Sequence, residues 1–281
     1  LSELTIRIVI FAAIFAGMAL FEVLAPRRPL RYGRGRRWVT NLAIVVIDSA
    51  ILRVVFPMAA VGAALWAQTR GYGLFPALGV PPLVASVIAF VVLDFAVWFE
   101  HLVSHKLPVL WRIHRMHHAD PDIDLTTALR FHPLEILISM VWKAAIVVAL
   151  GAPALAVLVF EAVLNGGAMF NHSNVRLPGW LEAALRPVVV TPDMHRVHHS
   201  VIGCETDSNY GFNFSFWDRL CRTYVAQPQR GHEGMTIGLS SFQSAAPTGI
   251  VWSLLLPFRE NTADGDEQEE RQAPTEPVNR S

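Results

Sequence analysis

Leu4 to Leu24 is an almost unbroken apolar run, interrupted only by Arg7 and Glu22 near its ends. A helix rises 1.5 Å per residue, so a run of this length crosses a hydrocarbon core of about 30 Å. Comparable runs extend from Trp38 to about Trp66, from Pro81 to about Phe99, and from Leu134 to about Leu164, the last broken by Gly151-Ala152-Pro153. Inside a bilayer the backbone must satisfy its own hydrogen bonds, so such runs fold as helices. The expectation is an all-α integral membrane protein with four to five membrane-embedded helices. Composition agrees: 53% of the 281 residues are hydrophobic, 16% are charged, and the mean hydropathy is +0.38. Formal net charge is zero, which leaves no electrostatic footprint for nucleic acid.

Arginine placement orients the spans. Arg27, Arg28, Arg31, Arg34, Arg36 and Arg37 form a basic loop of the kind retained on the cytoplasmic side. The second run is longer than one span needs and carries Asp48 and Arg53, which should face other helices or lie near a kink at Pro57. The glycine-rich loop from Ala67 to Val80 then falls on the opposite side. The third span returns the chain and delivers Glu100, His101 and His105, and the 134–164 hairpin leaves and comes back. Every histidine motif therefore lands on the cytoplasmic side. Four regions follow: 1–80, N-terminal transmembrane helices with the basic loop; 81–225, the histidine-bearing region; 226–259, a C-terminal segment; and 260–281, a disordered acidic tail.

Ten of the eleven histidines fall in one block. His101 and His105 are four apart, and His114-Arg115-Met116-His117-His118 recurs as His195-Arg196-Val197-His198-His199. Residues three and four apart share a helix face, so each run is expected to point three imidazoles the same way. His132 and His172 complete the set, while His232 belongs to no spacing pattern and reads as a surface or loop histidine. Imidazole is the commonest protein ligand for borderline transition metals, and so many exceed what one four-coordinate zinc uses. Two metals in a histidine-rich helical cap are the natural reading. Cys204 and Cys221 have no zinc-ribbon spacing. An all-imidazole site suits iron, which changes oxidation state and binds oxygen, although zinc can occupy it in purified protein. Asp94 shares a helical face with His101 and His105, and Asp94, Asp207 and Asn209 are candidate partners that orient the ligand imidazoles.

The motifs His101-x3-His105, Trp111-x2-His114-x2-His117-His118, Thr126-Thr127-Ala128-Leu129-Arg130-Phe131-His132-Pro133, Asn171-His172-Ser173-Asn174, Thr191-Pro192-Asp193-Met194-His195-x2-His198-His199, and Asn209-Tyr210-Gly211 with Trp217-Asp218 occur in this order. With them the chain, from Asp94 to about Tyr224, resembles the fatty acid hydroxylase and sterol desaturase superfamily, in its bacterial-type branch. The stretch around Leu125 to Arg130 also resembles alkylglycerol monooxygenase. The resemblance implies metal ligands at His101, His105, His114, His117, His118, His195, His198 and His199, with His172 and His132 as further ones. It implies a membrane-bound di-iron oxygenase that hydroxylates or desaturates a lipid (sterol-like, fatty acyl, alkylglycerol or carotenoid) with O2 and electrons from a separate donor. Two departures stand out: Ala168 where fatty acid 2-hydroxylases have the first histidine of an HxxxH pair, and Cys221-Arg222-Thr223 where the family has Phe-Gly-Thr.

Two other classes remain open on sequence: a non-enzymatic metal-binding membrane protein and a zinc-dependent lipid hydrolase. Outside the histidine block, Glu135 is expected to pair with Arg130. Trp111, Trp180 and Trp252 read as interfacial anchors, and Ile250 to Phe258 as a short amphipathic or re-entrant segment.

Overall fold

A computed structural model describes residues 3–259. The chain is predominantly helical, and among the described residues only isolated β-bridges occur, such as Pro26 with Val175. In order, the helices are α1 (Glu3–Leu24), α2 (Gly35–Val55), α3 (Ala59–Arg70), the single turn α4 (Leu74–Ala77), α5 (Pro82–Lys106), α6 (Pro108–His118), α7 (Pro133–Leu150) and α8 (Ala154–Asn171). Shorter pieces follow: α9 (Gly179–Leu185), α10 (Pro192–His198), α11 (Gly203–Thr206), α12 (Phe216–Leu220), α13 (Gly231–Gly234) and α14 (Ile250–Leu255). Among the described residues, four segments are long and apolar enough to cross a membrane: 35–77 as one unit, α5, α7 and α8. The tail expected from residue 260 lies outside the described residues.

The kink expected at Pro57 is a full break. Proline lacks the N–H that would continue α2, and Ala59 restarts the chain as α3 with φ +46°. Asp48 is buried against the bundle, whereas Arg53 is exposed.

Small residues decide how closely the membrane helices pack. Ala60 and Ala64 on α3, and Ala85 and Ala89 on α5, are spaced by four and almost fully buried. Such stripes let backbones approach where no water drives apolar association. Leu93, Val97, Met140, Val147, Val157 and Phe160 fill the remaining space in the same core. At one end of the bundle, Gly73 (φ +116°) meets Gly151 (φ +65°): a Cβ on Gly73 would stand 2.1 Å from the Gly151 nitrogen. The loop before α5 and the α7–α8 turn therefore touch through bare backbone, which only glycine permits.

The histidine-bearing cap is fastened to the arginine loop. Glu22 Oε1 accepts the backbone N–H groups of Leu125 (2.7 Å) and Asn174 (2.8 Å). Arg27 Nε lies 3.2 Å from Asp193 Oδ1, Arg28 Nη1 donates to the Met235 carbonyl at 2.9 Å, and Asp122 accepts the backbone N–H groups of Arg31 and Tyr32. The basic loop and the histidines thus sit at the same end of the molecule, and most of these arginines hold the cap in addition to marking topology.

Ile250 to Phe258 buries one side against the protein and leaves Val251, Leu255 and Phe258 exposed on the other. Leu256 is completely buried with Ile44, Trp111 and Met116, and its carbonyl accepts Arg115 Nη2 at 2.8 Å. The apolar run is a strap across α2 and α6. Of the three tryptophans read as interfacial anchors, Trp111 is buried 4.9 Å from the His105 ring, Trp252 packs on Phe242, and Trp180 is 73% exposed.

Candidate metal centre

Nine buried histidines converge in two groups. His101, His105, His114, His118 and His198 form one, and His117, His172, His195 and His199 the other. Within each group one ring nitrogen from every residue lies within 4.8 Å of the rest. Helix geometry explains the division, and it corrects the expectation that each run points three imidazoles one way. Residues four apart stay on one face, while a residue three along is rotated off it. In the first run His114 and His118 go together and His117 crosses to the other group. In the second run His195 and His199 go together and His198 crosses back. The two runs therefore interlock, with His118 stacked on His199 at 4.5 Å and 19°.

Local sequence sets each element. Leu107-Pro108 ends α5 one residue after Lys106 and restarts the chain as α6, with proline at its first turn, where its missing N–H costs nothing. Thr191 caps α10 by accepting the Met194 N–H, followed again by proline. His172 caps the C-terminus of α8.

The anchored nitrogens determine where the lone pairs point. The His101 Nδ1–H donates to the Tyr210 carbonyl at 2.8 Å, that of His198 to the Ser208 carbonyl at 2.7 Å, and that of His172 to the Ala168 carbonyl at 2.8 Å. A carbonyl only accepts, so each of these rings carries its proton on Nδ1 and presents a bare Nε2. His114 Nδ1 is 2.6 Å from Glu135 Oε1, and His105 Nδ1 is 3.3 Å from Asp207 Oδ1. Partners of this kind fix the tautomer of metal-bound histidines. Nε2 of His101, His198 and His199, and both nitrogens of His118, are buried without a hydrogen-bond partner. His172 Nε2 lies 3.1 Å from both His117 Nε2 and His195 Nε2. The bare His172 Nε2 can accept from one of these neighbours at most, so three ring nitrogens buried this close fit a shared cation. The donor set is neutral imidazole throughout, with no thiolate, and fits a transition metal in each group.

Electrostatics agree. Burial, followed by repulsion among neighbouring rings, holds His117, His118, His195, His198 and His199 below the ordinary histidine value, and burial pushes His172 down to about 3. The rings are therefore neutral, as ligation requires. The same shifts predict how the metal-free protein responds to acid. A depressed folded-state pKa gives stability that is complete above the unfolded value of about 6.5 and is lost as pH falls toward the folded value, at about 1.4 kcal/mol per histidine per unit. Thermal melting of the metal-free protein in detergent should therefore fall steeply between about pH 6.5 and about pH 3 for His172. A flat profile would contradict buried neutral rings.

Several expected residues have other roles. His132 lies outside both groups: its Nδ1 accepts the Leu134 N–H at 3.1 Å, capping α7, and its Nε2 is 3.2 Å from the Leu254 carbonyl. His132→Ala should leave metal content unchanged, as elemental analysis would show. Asp94 orients no imidazole. It accepts from Asn213 Nδ2, the Phe214 N–H and Trp217 Nε1, and so holds the 213–217 loop. Asn209, at φ +50°, bonds the Met194 and Val225 backbones. Asp207 does face His105, and also Lys106 Nζ at 2.8 Å. Asp207→Ala should weaken metal binding about 10–100-fold, the usual cost of losing a ligand's outer partner, measurable by competition with a chelator. His232 is buried rather than on the surface, beside Gln227 Oε1 (3.1 Å) and Asp193.

Glu135 does not meet Arg130, whose guanidinium instead bonds the Met116 and Pro247 carbonyls, Asn41 and Ser253. Its partnership with His114 was hidden because spacing shows nothing about a contact between α6 and α7. Asp218 was likewise passed over. It accepts from Trp98 Nε1, the Tyr210 and Gly211 N–H groups and Thr223 Oγ1, fixing the segment whose carbonyl orients His101. The Trp217-Asp218 pair was its only sequence signal.

Comparison with known proteins follows the same residues. Residues 86–223 match the family model described as fatty acid hydroxylase. An ornithine lipid hydroxylase of Rhizobium tropici is 27% identical over 79% of this chain and 67% of its own length. The human alkylglycerol monooxygenase is 29% identical over 55% of the chain but 34% of its own length, and a cholesterol 25-hydroxylase of Rattus norvegicus is 27% identical over 50% and 47%. The chain thus spans about a third of the alkylglycerol monooxygenase it matches. No solved structure is significantly similar to it.

Proposed function

We propose that this chain, whose residues 86–223 match the fatty acid hydroxylase family model, is a membrane-bound di-iron oxygenase that hydroxylates a lipid, with O2 as oxidant and electrons from a separate donor. The observation that carries this reading is the pair of buried histidine groups at the end of a membrane helix bundle, in which backbone carbonyls hold His101, His198 and His172 with Nε2 bare. Iron bound by these residues would supply the chemistry that turns O2, a C–H bond, two electrons and two protons into an alcohol and water. His101, His105, His114, His118 and His198 would hold one ion, and His117, His172, His195 and His199 the other. The chain contributes neutral donors, fixed ring orientations and exclusion of bulk water, since every one of the nine is buried.

Hydroxylation is favoured over desaturation because the relatives described above are a lipid hydroxylase, a monooxygenase and a sterol hydroxylase by name. The contact of the arginine loop with the cap supports a cytoplasmic position for the site in a bacterial inner membrane, reached by a cytosolic reductant. Purified protein loaded with ferrous iron, given a reductant, a bacterial lipid extract and isotopically labelled O2, should yield lipid carrying one labelled oxygen atom. Oxygen drawn from water, or lipid cleaved in the absence of O2, would replace this reading with a hydrolytic one.

A further inference from the structure

Between α5, α6 and α7 lies a cavity of about 140 Å³ that no part of the metal centre fills. Its inner wall includes Ser104 and Ile113, chain neighbours of His105 and His114, together with Glu135, which bonds His114. Its outer wall is formed by Phe99, Ile138 and Trp142, which are 41%, 42% and 36% exposed. These three belong to α5 and α7, both long and apolar enough to cross a membrane, so the outer wall lies on helices suited to face hydrocarbon. The rim is braced: Trp142 Nε1 donates to the Ala96 carbonyl at 3.0 Å, and Ser139 Oγ to Glu100 Oε2 at 3.2 Å. One polar atom on the inner wall has no partner. Glu135 Oε1 is taken by His114, while Oε2 is buried with no hydrogen bond.

Accepting the lipid oxygenase reading, we infer that this cavity seats the apolar chain of the substrate lipid, that a hydrogen-bond donor of that lipid binds Glu135 Oε2, and that the five-histidine group is the one the lipid meets. An apolar chain entering from the bilayer needs no polar compensation along the outer wall. The buried oxygen at its inner end carries a standing cost until a donor reaches it. A hydroxyl or ammonium on the lipid would supply that donor and fix which carbon of the chain lies beside His114. No histidine of either group lines the cavity, and the five-histidine group is the one tied to its wall, through Ser104 and Ile113 beside His105 and His114 and through Glu135 on His114.

The test uses a long-chain alcohol carrying a photoactivatable diazirine, and its O-methyl ether, which lacks the donor. Both are added to full-length, metal-loaded protein in detergent, irradiated, and the adducts mapped by mass spectrometry. The alcohol should label Phe99, Ile138 and their cavity neighbours. The ether should label them about tenfold less, the effect of losing one buried hydrogen bond. Ile138→Trp fills the mouth from a partly exposed position, so it should keep its fold and metal content while losing cavity labelling. Labelling confined to other faces of the bundle, or unchanged labelling in Ile138→Trp, would overturn the inference. Equal labelling by alcohol and ether would overturn the role of Glu135. The two readings separate cleanly. Ile138→Trp that oxidises lipid at the wild-type rate sinks the cavity and spares the oxygenase. A wild-type protein labelled in the cavity that oxidises no lipid does the reverse.

Discussion

Leucine at His118 should lower lipid oxidation more than about 100-fold, beyond the 10–100-fold typical of losing only an outer partner of a ligand, while the metal-free protein keeps its stability. His118 is completely enclosed at the junction of the two groups, within 4.6 Å of the His198 ring and 4.5 Å of the His199 ring. Neither of its nitrogens has a hydrogen-bond partner. An unsatisfied buried polar group costs about 1–3 kcal/mol, and leucine occupies nearly the same space without that cost. A structural histidine would be missed by the fold, whereas a ligand is missed only by the metal. Metal content, turnover and the melting temperature of the stripped protein, measured side by side, distinguish the two. A variant that keeps its metal and its turnover would remove His118 from the site.

Alanine at Arg37 should act the opposite way, costing about 3–5 kcal/mol of stability, the range for stripping one partner from a buried ion pair. The Arg37 guanidinium, 1% exposed, bonds both oxygens of Asp120 at 2.7 and 2.8 Å, and Asp124 Oδ2 at 2.5 Å. These carboxylates lie two and six residues after His118, and Arg37 holds the Asp120 carboxyl below the usual range despite its burial. Removing the guanidinium leaves two buried charges without their counter-ion and frees the loop that carries Arg130 and the end of α6. Chemical or thermal unfolding in detergent should show the loss with or without metal. A change below about 1 kcal/mol would mean that this network is not what fastens α2 to the cap.

Much of this architecture is written in the chain's apolar runs and histidine spacing. The runs mark the membrane helices because nothing but a helix satisfies a lipid-facing backbone, and Gly151-Ala152-Pro153 marks the turn between α7 and α8. Nine of the ten histidines read as ligands converge, because i, i+4 pairs on consecutive helices can be aimed from spacing alone. What spacing could not reveal is which group each ring joins, since His117 and His198 cross over only once α6 and α10 are packed together. His132 misled because a proline two residues before an acidic helix start makes a cap as readily as a ligand position. The partners of the rings were the least legible part. Three are backbone carbonyls, at Ala168, Ser208 and Tyr210, and no side chain in the sequence announces them. Asp94 seemed placed for that duty by helical register, but its carboxylate is used by Asn213, Phe214 and Trp217, a segment over a hundred residues away.

The most direct test of the central claim is the metal stoichiometry of protein purified anaerobically with ferrous iron, compared with His118→Leu and with a variant of the other group, His172→Leu. Two irons per chain in the native protein, with each variant losing one group's ion, is the result expected from two separate histidine groups. A single ion per chain, or two ions retained in both variants, would contradict the account.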